Sequence, residues 1–198
     1  AEAATRTPWL TRLFSAIPPS TEDDPVKKLH DHIIIAGWGV TGESLGHSLR
    51  AAGVPYIVVD LNPETVRRAR TEHEPMIYGD VTAPEVLEHL GIHRARMLVM
   101  VVSDADAAER AVRTARRLAP TLPILVRARY VAHVDVMFKA GATDVVPAEL
   151  EAAVEITSRV LLACGAGLEI VTDERARIRT LREDDNPHTE SDRDESVV

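Results

Sequence analysis

Three glycines and one aspartate near the start of the chain have the spacing of a site for phosphate and ribose. Gly37, Gly39 and Gly42 form the pattern Gly-x-Gly-x-x-Gly, and Asp60 follows the turn by about 20 residues. The glycines let a pyrophosphate approach the backbone, and the N-terminus of the next helix attracts its charge. A carboxylate at Asp60 can accept hydrogen bonds from an adenosine ribose and would repel a 2′-phosphate. The pattern therefore predicts an NAD-type or AMP-type ligand rather than NADP.

The residues on either side of this turn form the strand, helix and strand that the chemistry requires. Residues 33–35 are an apolar β-branched run, and a helical pattern follows the turn and ends at Gly53. A second apolar strand, 56–59, leads directly into Asp60. The same fold can be kept with an empty pocket, which is the alternative interpretation of this unit.

Strand and helix patterns continue to alternate after Asp60. The further strand segments are 75–78, 97–102, 124–128 and 144–146. The helical patterns between and after them cover 63–72, 84–90, 105–118, 131–140 and 148–163. Apolar strands that alternate with helices pair in parallel and are covered on both faces. We predict an α/β fold: a Rossmann-like, doubly wound, parallel six-stranded sheet in the order 3-2-1-4-5-6, with helices on both faces.

The chain divides by composition into three parts. Residues 1–31 hold a short amphipathic pattern from Trp9 to Ile17 that Pro18 ends, followed by a polar linker. Residues 32–165 hold the alternating pattern, which we predict to be the nucleotide-binding domain. Residues 166–198 are charged, with a helical pattern over 173–182 and an acidic end, so we expect a largely disordered tail.

Composition excludes several classes of protein. The formal net charge is −8 in 198 residues, which argues against a nucleic-acid partner because that partner requires a basic face. Cys164 is the single cysteine, so no internal disulfide can form. No apolar run approaches the roughly 18 residues of a membrane span.

Ligands of doubly wound sheets bind outside the carboxyl ends of the strands, which selects further candidate residues. They are Trp38, Val40, Thr41, Leu61, Asn62, Gly79, Asp80, Val81, Ser103, Arg127 and Arg129. Several of them have an ordinary structural alternative. Asn62 can serve as a turn residue, Asp80 and Ser103 can cap helices, and the two arginines can form surface ion pairs.

The residues expected of an enzyme are missing. No Tyr-x-x-x-Lys sequence occurs, and no second domain is large enough to bind a substrate beside a nicotinamide. The histidines lack the spacing of metal ligands, so we predict neither a catalytic nor a metal site. A free-standing NAD-dependent oxidoreductase remains the rival hypothesis.

Five segments, distributed over residues 31–164, resemble a known domain family. They read DHIIIAGWGVTGESL, YIVVDLNPETV, PMIYGDVTAPEVL, LPILVRARY and GATDVVPAELEAAVEI. They are similar to the regulator-of-potassium-conductance N-lobe, also called the KTN or TrkA-N domain. The likeness is greatest to the cytosolic C-terminal domain of Kef-type monovalent cation:proton antiporters. The segment TPWLTRLF is similar to the stretch that follows the last membrane helix in those antiporters.

The resemblance implies a sensor rather than a catalyst. It implies a homodimer that binds NAD(H) or an adenine nucleotide (AMP, ADP or ATP). It also implies attachment to a membrane-embedded transport domain, at the cytoplasmic face of the cell membrane, whose pore the ligand opens or closes. Carried over by position, Gly37, Gly39 and Gly42 would hold phosphate and Asp60 the ribose. Asp80 and Arg129 match family positions near the ligand.

Overall fold

The computed structural model describes residues 25–184, and its centre is a sheet of six strands in the order β3-β2-β1-β4-β5-β6. The strands are β1 (His32–Ala36), β2 (Tyr56–Asp60), β3 (Met76–Tyr78), β4 (Ala95–Met100), β5 (Ile124–Ala128) and β6 (Asp144–Pro147). The pairs β1–β2, β1–β4, β2–β3 and β4–β5 are parallel. The predicted fold class and strand order are confirmed.

Seven α-helices follow the strands within the described residues. They are α1 (Val40–Ala51), α2 (Pro63–Thr71), α3 (Pro84–His89), α4 (Ala105–Leu118), α5 (Val134–Ala140), α6 (Ala148–Ala163) and α7 (Leu168–Asp184). Three short 3-10 turns add Pro25–Lys28, Ile92–Arg94 and Val131–His133. The chain forms two compact units, one of residues 25–127 and 135–145 and the other of 128–134 and 146–184.

The first unit is built around β1, because this strand pairs on both sides. All five of its residues are buried, with Ile34, Ile35 and Ala36 fully so. Ile35 stands opposite Val58 of β2 and Val99 of β4, which places three apolar side chains in register across the sheet. A strand covered on two faces is apolar throughout rather than alternating, which is why the sequence shows an unbroken run here.

A buried polar cluster ties α1 to the entry of β2. The Tyr56 hydroxyl donates to Glu74 Oε2 at 2.5 Å, and Arg50 Nη2 lies 2.5 Å from Glu74 Oε1. Burial and the bond to Glu74 raise the pKa of Tyr56 to about 12, so this hydroxyl keeps its proton. A buried carboxylate is tolerated because the phenol and the guanidinium both satisfy it.

The second unit pairs α6 with α7. Arg179 donates to both carboxylate oxygens of Glu151 at 3.0 and 2.8 Å, and Arg175 donates to Ser158 Oγ at 2.7 Å. Val171 and Ile178 are buried on α7. The sequence predicted a helix only over 173–182, but α7 begins at Leu168 and ends at Asp184. The prediction was too short because α7 has few apolar residues and pairs with α6 largely through arginines.

Two other elements have boundaries that differ from the predicted ones. The fourth strand begins at Ala95 and ends at Met100 rather than covering 97–102, and α5 begins at Val134 after a 3-10 turn. The pattern predicted from Trp9 to Ile17 and the acidic stretch after Asp184 lie outside the described residues. Within 25–184, no helix has the length and apolar character needed to cross a bilayer.

His32 is a fully buried histidine at the start of β1. Its Nε2–H donates to the carbonyl of Leu90 at 2.9 Å, while the buried Nδ1 has no partner among the described residues. Burial lowers the pKa of His32 below its ordinary value of 6.5. The folded protein therefore holds the neutral imidazole.

This burial predicts an acid-sensitive stability. The unfolded chain takes up a proton near pH 6.5 whereas the folded chain resists it, so the free energy of unfolding should fall as pH drops below about 6.5. Urea unfolding of wild type and His32→Leu between pH 8 and pH 5.5 measures this, and the variant should show the flatter dependence. His93→Gln, at an exposed histidine, is the control and should keep the wild-type slope. Equal slopes for wild type and His32→Leu would contradict the assignment.

Candidate functional site

An open cleft of about 590 Å³ lies at the carboxyl ends of the strands in the first unit. This volume is in the range of pockets for small ligands. The lining residues are Gly37, Trp38, Gly39, Val40, Thr41, Val59, Asp60, Leu61, Asn62, Gly79, Asp80, Val81, Val101, Val102, Ser103, Asp104, Ala107 and Arg127. The structure thus brings together all the residues proposed from sequence except Gly42 and Arg129.

The glycine turn between β1 and α1 has the form that the sequence indicated. Gly37 has a φ of +104°, which favours glycine, and turns the chain off the strand. A Cβ on Gly42 would lie 2.1 Å from the carbonyl oxygen of Gly37, so only a glycine at this position lets the first turn of α1 approach that carbonyl so closely. A Cβ on Gly39 would have no atom within 4 Å, so Gly39 keeps the mouth of the cleft open.

The N-terminus of α1 opens toward this turn. Its N-cap is Gly39, which has no side chain to accept a hydrogen bond from the first turn of the helix. The backbone N–H groups of Val40, Thr41 and Gly42 are the donors that such a terminus leaves free. Together with the helix dipole they form an anion-binding position of the kind that holds phosphate.

Asp60 joins the ends of β1 and β2. Its Oδ2 accepts from the backbone N–H of Trp38 at 2.7 Å, and its Oδ1 accepts from the N–H of Asn62 at 2.7 Å. Each carboxylate oxygen has a second lone pair, so the residue can hold the turn and accept from a ligand hydroxyl simultaneously. The sequence argument assigned Asp60 only to the ligand and missed its bond to the turn.

The polar side chains proposed after strands two and three, Asn62 and Asp80, have local partners. Asn62 Oδ1 caps α2 by accepting from Glu64 N at 2.9 Å and Thr65 N at 3.3 Å. Asp80 was weighed as a helix cap, but α3 begins after Ala83 without a side-chain cap. Asp80 Oδ1 instead accepts from Thr82 N at 2.9 Å and Thr82 Oγ1 at 2.8 Å.

The cap of α4 was also misplaced by one residue. Ser103 was favoured as the cap, but Asp104 accepts from Ala107 N at 3.0 Å and is the N-cap. Ser103 therefore lines the cleft and does not cap α4. Val101, Val102 and Ala107 were not proposed from sequence, because apolar residues at a strand end carry no chemical signal.

Arg127, near the end of β5, and Arg129, just after it, have different surroundings. Arg127 lines the cleft, and its side chain forms no hydrogen bond or ion pair with the described residues. β5 ends at Ala128, so the alternation expected to carry Arg129 to the same face stops before that residue. Arg129 is absent from the lining, and its guanidinium carbon lies 5.1 Å from the centre of the Tyr130 ring. Arg127 is thus the arginine in the lining of the cleft, and a place for Arg129 near a ligand stays a prediction.

The fold and this cleft define a nucleotide-binding type of α/β domain, and the family follows from comparison. Residues 33–148 match the model of the TrkA-N domain, and the chain belongs to that family. The resemblance read from the sequence is confirmed.

The curated relatives are potassium transport proteins. The chain is 42% identical over 134 residues to a protein of Alkalimonas amylolytica assigned as the K⁺ efflux antiporter KefB, covering 68% of the chain and 20% of that protein. It is 30% identical over 159 residues to the glutathione-regulated potassium-efflux system protein KefC of Klebsiella pneumoniae strain 342, covering 80% of the chain and 26% of KefC. The chain therefore spans about a fifth to a quarter of the length of these relatives.

Solved structures share the fold. The Kef C-terminal domain of Shewanella denitrificans in its AMP-bound form superposes with a TM-score of 0.65 at 24% identity, covering 77% of this chain and 98% of that one, which shows the fold alone. The GsuK channel bound to NAD gives a TM-score of 0.59 at 25% identity, covering 78% and 26%. GsuK bound to ADP gives 0.59 at 26% identity, covering 78% and 39%.

The glycine geometry predicts losses of stability of different size for two similar substitutions. Gly42→Ala places a methyl group against a backbone carbonyl and should reduce the free energy of unfolding by about 1–3 kcal/mol, as overpacking does. Gly39→Ala meets open space and should cost less than about 1 kcal/mol, as a change at an N-cap. Urea unfolding of both variants checks this. An equal loss in both, or the reverse order, would contradict the structure of the turn.

Proposed function

We propose that this chain is a nucleotide-sensing regulatory domain of a potassium or other monovalent cation transporter. The observation that carries the proposal is the meeting of Asp60 with the glycine turn and the free N-terminus of α1 in one cleft. In this arrangement the helix terminus binds the phosphate and the Asp60 carboxylate accepts from the ribose. The relatives named above are potassium efflux proteins, which supports the transport context.

The charge of the cleft narrows the ligand. Asp60, Asp80 and Asp104 contribute three carboxylates, whereas Arg127 contributes the one guanidinium among the lining residues. A triphosphate would add further negative charge beside these carboxylates, and such repulsion disfavours binding. Among the adenine nucleotides we therefore place AMP and NAD(H) ahead of ADP and ATP. GsuK bound to NAD supports a dinucleotide on this fold.

The role of the ligand is mechanical rather than chemical. A nucleotide that binds one arrangement of the domain more tightly than another shifts the population toward it. Transmitted to an attached membrane domain at the cytoplasmic face, that shift would gate cation and proton antiport. No histidine, lysine, tyrosine or cysteine is among the lining residues, so the cleft offers none of the usual proton donors of a dehydrogenase other than carboxylates. This disfavours the rival oxidoreductase.

The second unit presents a surface suited to a homodimer. Ile156 and Val160 lie one turn apart on α6 with 63% and 57% of their surfaces exposed. Leu162, Leu168 and Ile170 are also exposed, with Leu168 at 75%. Apolar side chains grouped in this way mark an interaction surface. A second copy of the chain can cover the same face reciprocally, as two-fold symmetry requires.

The ligand proposal predicts binding that depends on ribose and on Asp60. In calorimetry with AMP, ADP, ATP, NAD and NADH, wild type should bind AMP and NAD. Asp60→Ala should weaken both by about tenfold to a hundredfold, because hydrogen bonds to a charged group are lost. A separate titration with NADP should show that the same variant loses the preference for NAD over NADP. Asp135→Ala, at an exposed aspartate that does not line the cleft, is the control and should bind as wild type.

Two outcomes would count against the ligand proposal. Negligible heats for all five nucleotides with the wild-type chain would remove the sensor. Turnover of NADH with a panel of carbonyl compounds would favour the oxidoreductase instead. Circular dichroism of each variant separates lost binding from lost folding, since Asp60 also holds the glycine turn.

The dimer proposal predicts that charge on the exposed face prevents association. The double variant Ile156→Glu/Val160→Glu should weaken self-association at least about tenfold, because buried charges without partners are costly. Sedimentation velocity over a concentration series measures this. Val136→Glu, at an exposed apolar residue of α5, is the control and should associate as wild type. A wild-type chain that stays monomeric at every concentration would contradict the proposal.

A further inference from the structure

A second cavity, separate in its lining from the nucleotide cleft, lies along α4. Its volume is about 580 Å³, and its lining includes four arginines, Arg110, Arg113, Arg116 and Arg117, together with Thr82 and Thr114. We call this surface the arginine groove. The chain as a whole carries a net charge of −8, so four guanidinium groups on one groove are a local reversal of its charge.

One of the four arginines is committed to the fold. Arg116 donates to the Gly141 carbonyl from Nε at 2.9 Å and from Nη2 at 2.7 Å, and to the Pro120 carbonyl from Nη1 at 2.7 Å. These bonds hold the C-terminal end of α4 to the loop after α5. Arg116 therefore has a structural explanation and leaves the groove three arginines that require another.

The other three have donors to spare. The side chain of Arg110 forms no hydrogen bond or ion pair with the described residues, and Arg117 donates from Nη2 to Thr114 Oγ1 at 3.3 Å. Arg113 pairs with Glu109, whose Oε1 accepts at 3.0 and 2.8 Å, and this carboxylate is the nearest competitor for an anion. With five N–H donors on each guanidinium, most of the donors on Arg110 and Arg117 remain free.

Ordinary helix energetics does not explain this arrangement. Residues three and four apart share a helix face, so Arg110, Arg113 and Arg117 repel one another when nothing lies between them. Arg117 in the last turn is favoured by the helix dipole, but Arg110 lies in the middle of α4, where that field is weak. An anion between the guanidinium groups would remove the repulsion.

We propose that the arginine groove binds a phosphorylated anion through Arg110, Arg113 and Arg117. Planar guanidinium groups match the oxygens of phosphate, which they bind with paired hydrogen bonds. Arg110 and Arg117 are seven residues apart, and the helix rise places their backbones about 10 Å apart. That span fits an anion with several phosphates, or phosphate groups side by side on a surface, better than a single phosphate ion.

A chain of hydrogen bonds connects the groove to the nucleotide cleft. Arg117 donates to Thr114 Oγ1, and that hydroxyl donates to the Thr82 carbonyl at 3.4 Å. Thr82 in turn donates from its N–H and its hydroxyl to Asp80, which lines the cleft. An anion that draws Arg117 away from Thr114 would alter this chain of bonds. A bound anion therefore has a physical route to the position of Asp80, although its binding does not depend on the proposed nucleotide.

The test is calorimetric titration of the full chain with sodium tripolyphosphate, together with sedimentation on vesicles of phosphatidylglycerol or of phosphatidylcholine. The variant Arg110→Gln/Arg117→Gln removes two charges from the groove. Arg67→Gln/Arg68→Gln removes two charges from exposed positions of α2 and is the matched control. The groove variant should bind tripolyphosphate or phosphatidylglycerol vesicles at least about tenfold more weakly than the control, since charged hydrogen bonds are lost. Circular dichroism confirms the fold of each variant.

The outcomes separate the possible sources of the phosphate. Loss on the groove variant with tripolyphosphate alone identifies a free anion, and loss with phosphatidylglycerol vesicles alone identifies a lipid headgroup. In ¹H–¹⁵N spectra, tripolyphosphate should shift the Nε–H signals of Arg110 and Arg117, which distinguishes the groove from the glycine turn. The proposal is overturned if wild type binds neither probe, or if the two double variants lose affinity equally.

Discussion

The carboxylate of Asp60 is the contact on which the site depends. It stands at the end of β2 and binds two backbone N–H groups, one from the turn after β1 and one from the residue that leads into α2. These two bonds fix the spacing of the two loops that leave the neighbouring strands β1 and β2. The order of strands reverses beside them, between β1 and β4, and the cleft lies at the carboxyl ends of these strands.

Other features of the first unit hold the glycine turn in position for its contact with Asp60. β1 is buried on both faces and pairs with β2 and β4, so the start of the turn is held rigidly. The closeness of Gly42 to the Gly37 carbonyl aligns α1 with the turn, and the ring of Trp38 packs against Gly46 of the same helix. The backbone N–H of Trp38 is thus presented to Asp60 while its ring is buried at 4% exposure. A bulky residue in the glycine motif therefore does not fill the cleft.

Much of this arrangement could be predicted from the sequence, because it follows from the periodicity of apolar residues and the spacing of the glycines and the acid. The strand order and the cleft were predicted from three features: the unbroken apolar run 33–35, the glycines at 37, 39 and 42, and the acid at 60. Backbone geometry requires each of these features. The hydrogen bonds of polar loop residues are harder to predict from the sequence. Asp104 caps α4 where Ser103 was the favoured cap, and Asp80 accepts from Thr82 where a helix cap was one of two alternatives, because several neighbouring residues can form such bonds. Arg129 was expected on the same face as Arg127, but β5 ends at Ala128, an end that has no sequence signal, and the place of Arg129 near a ligand stays a prediction. The arginines of the groove all lie on the predicted helix 105–118, but the groove itself was not predicted, because Thr82 and Ala140, which complete its lining, come from distant segments.

The most direct measurement of the central claim is a crystal structure of this chain grown with AMP. The account predicts the adenosine between the ends of β1 and β2, with a ribose hydroxyl within about 3.2 Å of an Asp60 oxygen and the phosphate at the N-terminus of α1. Nucleotide bound elsewhere on the molecule, or a cleft still empty at saturating AMP, would contradict it.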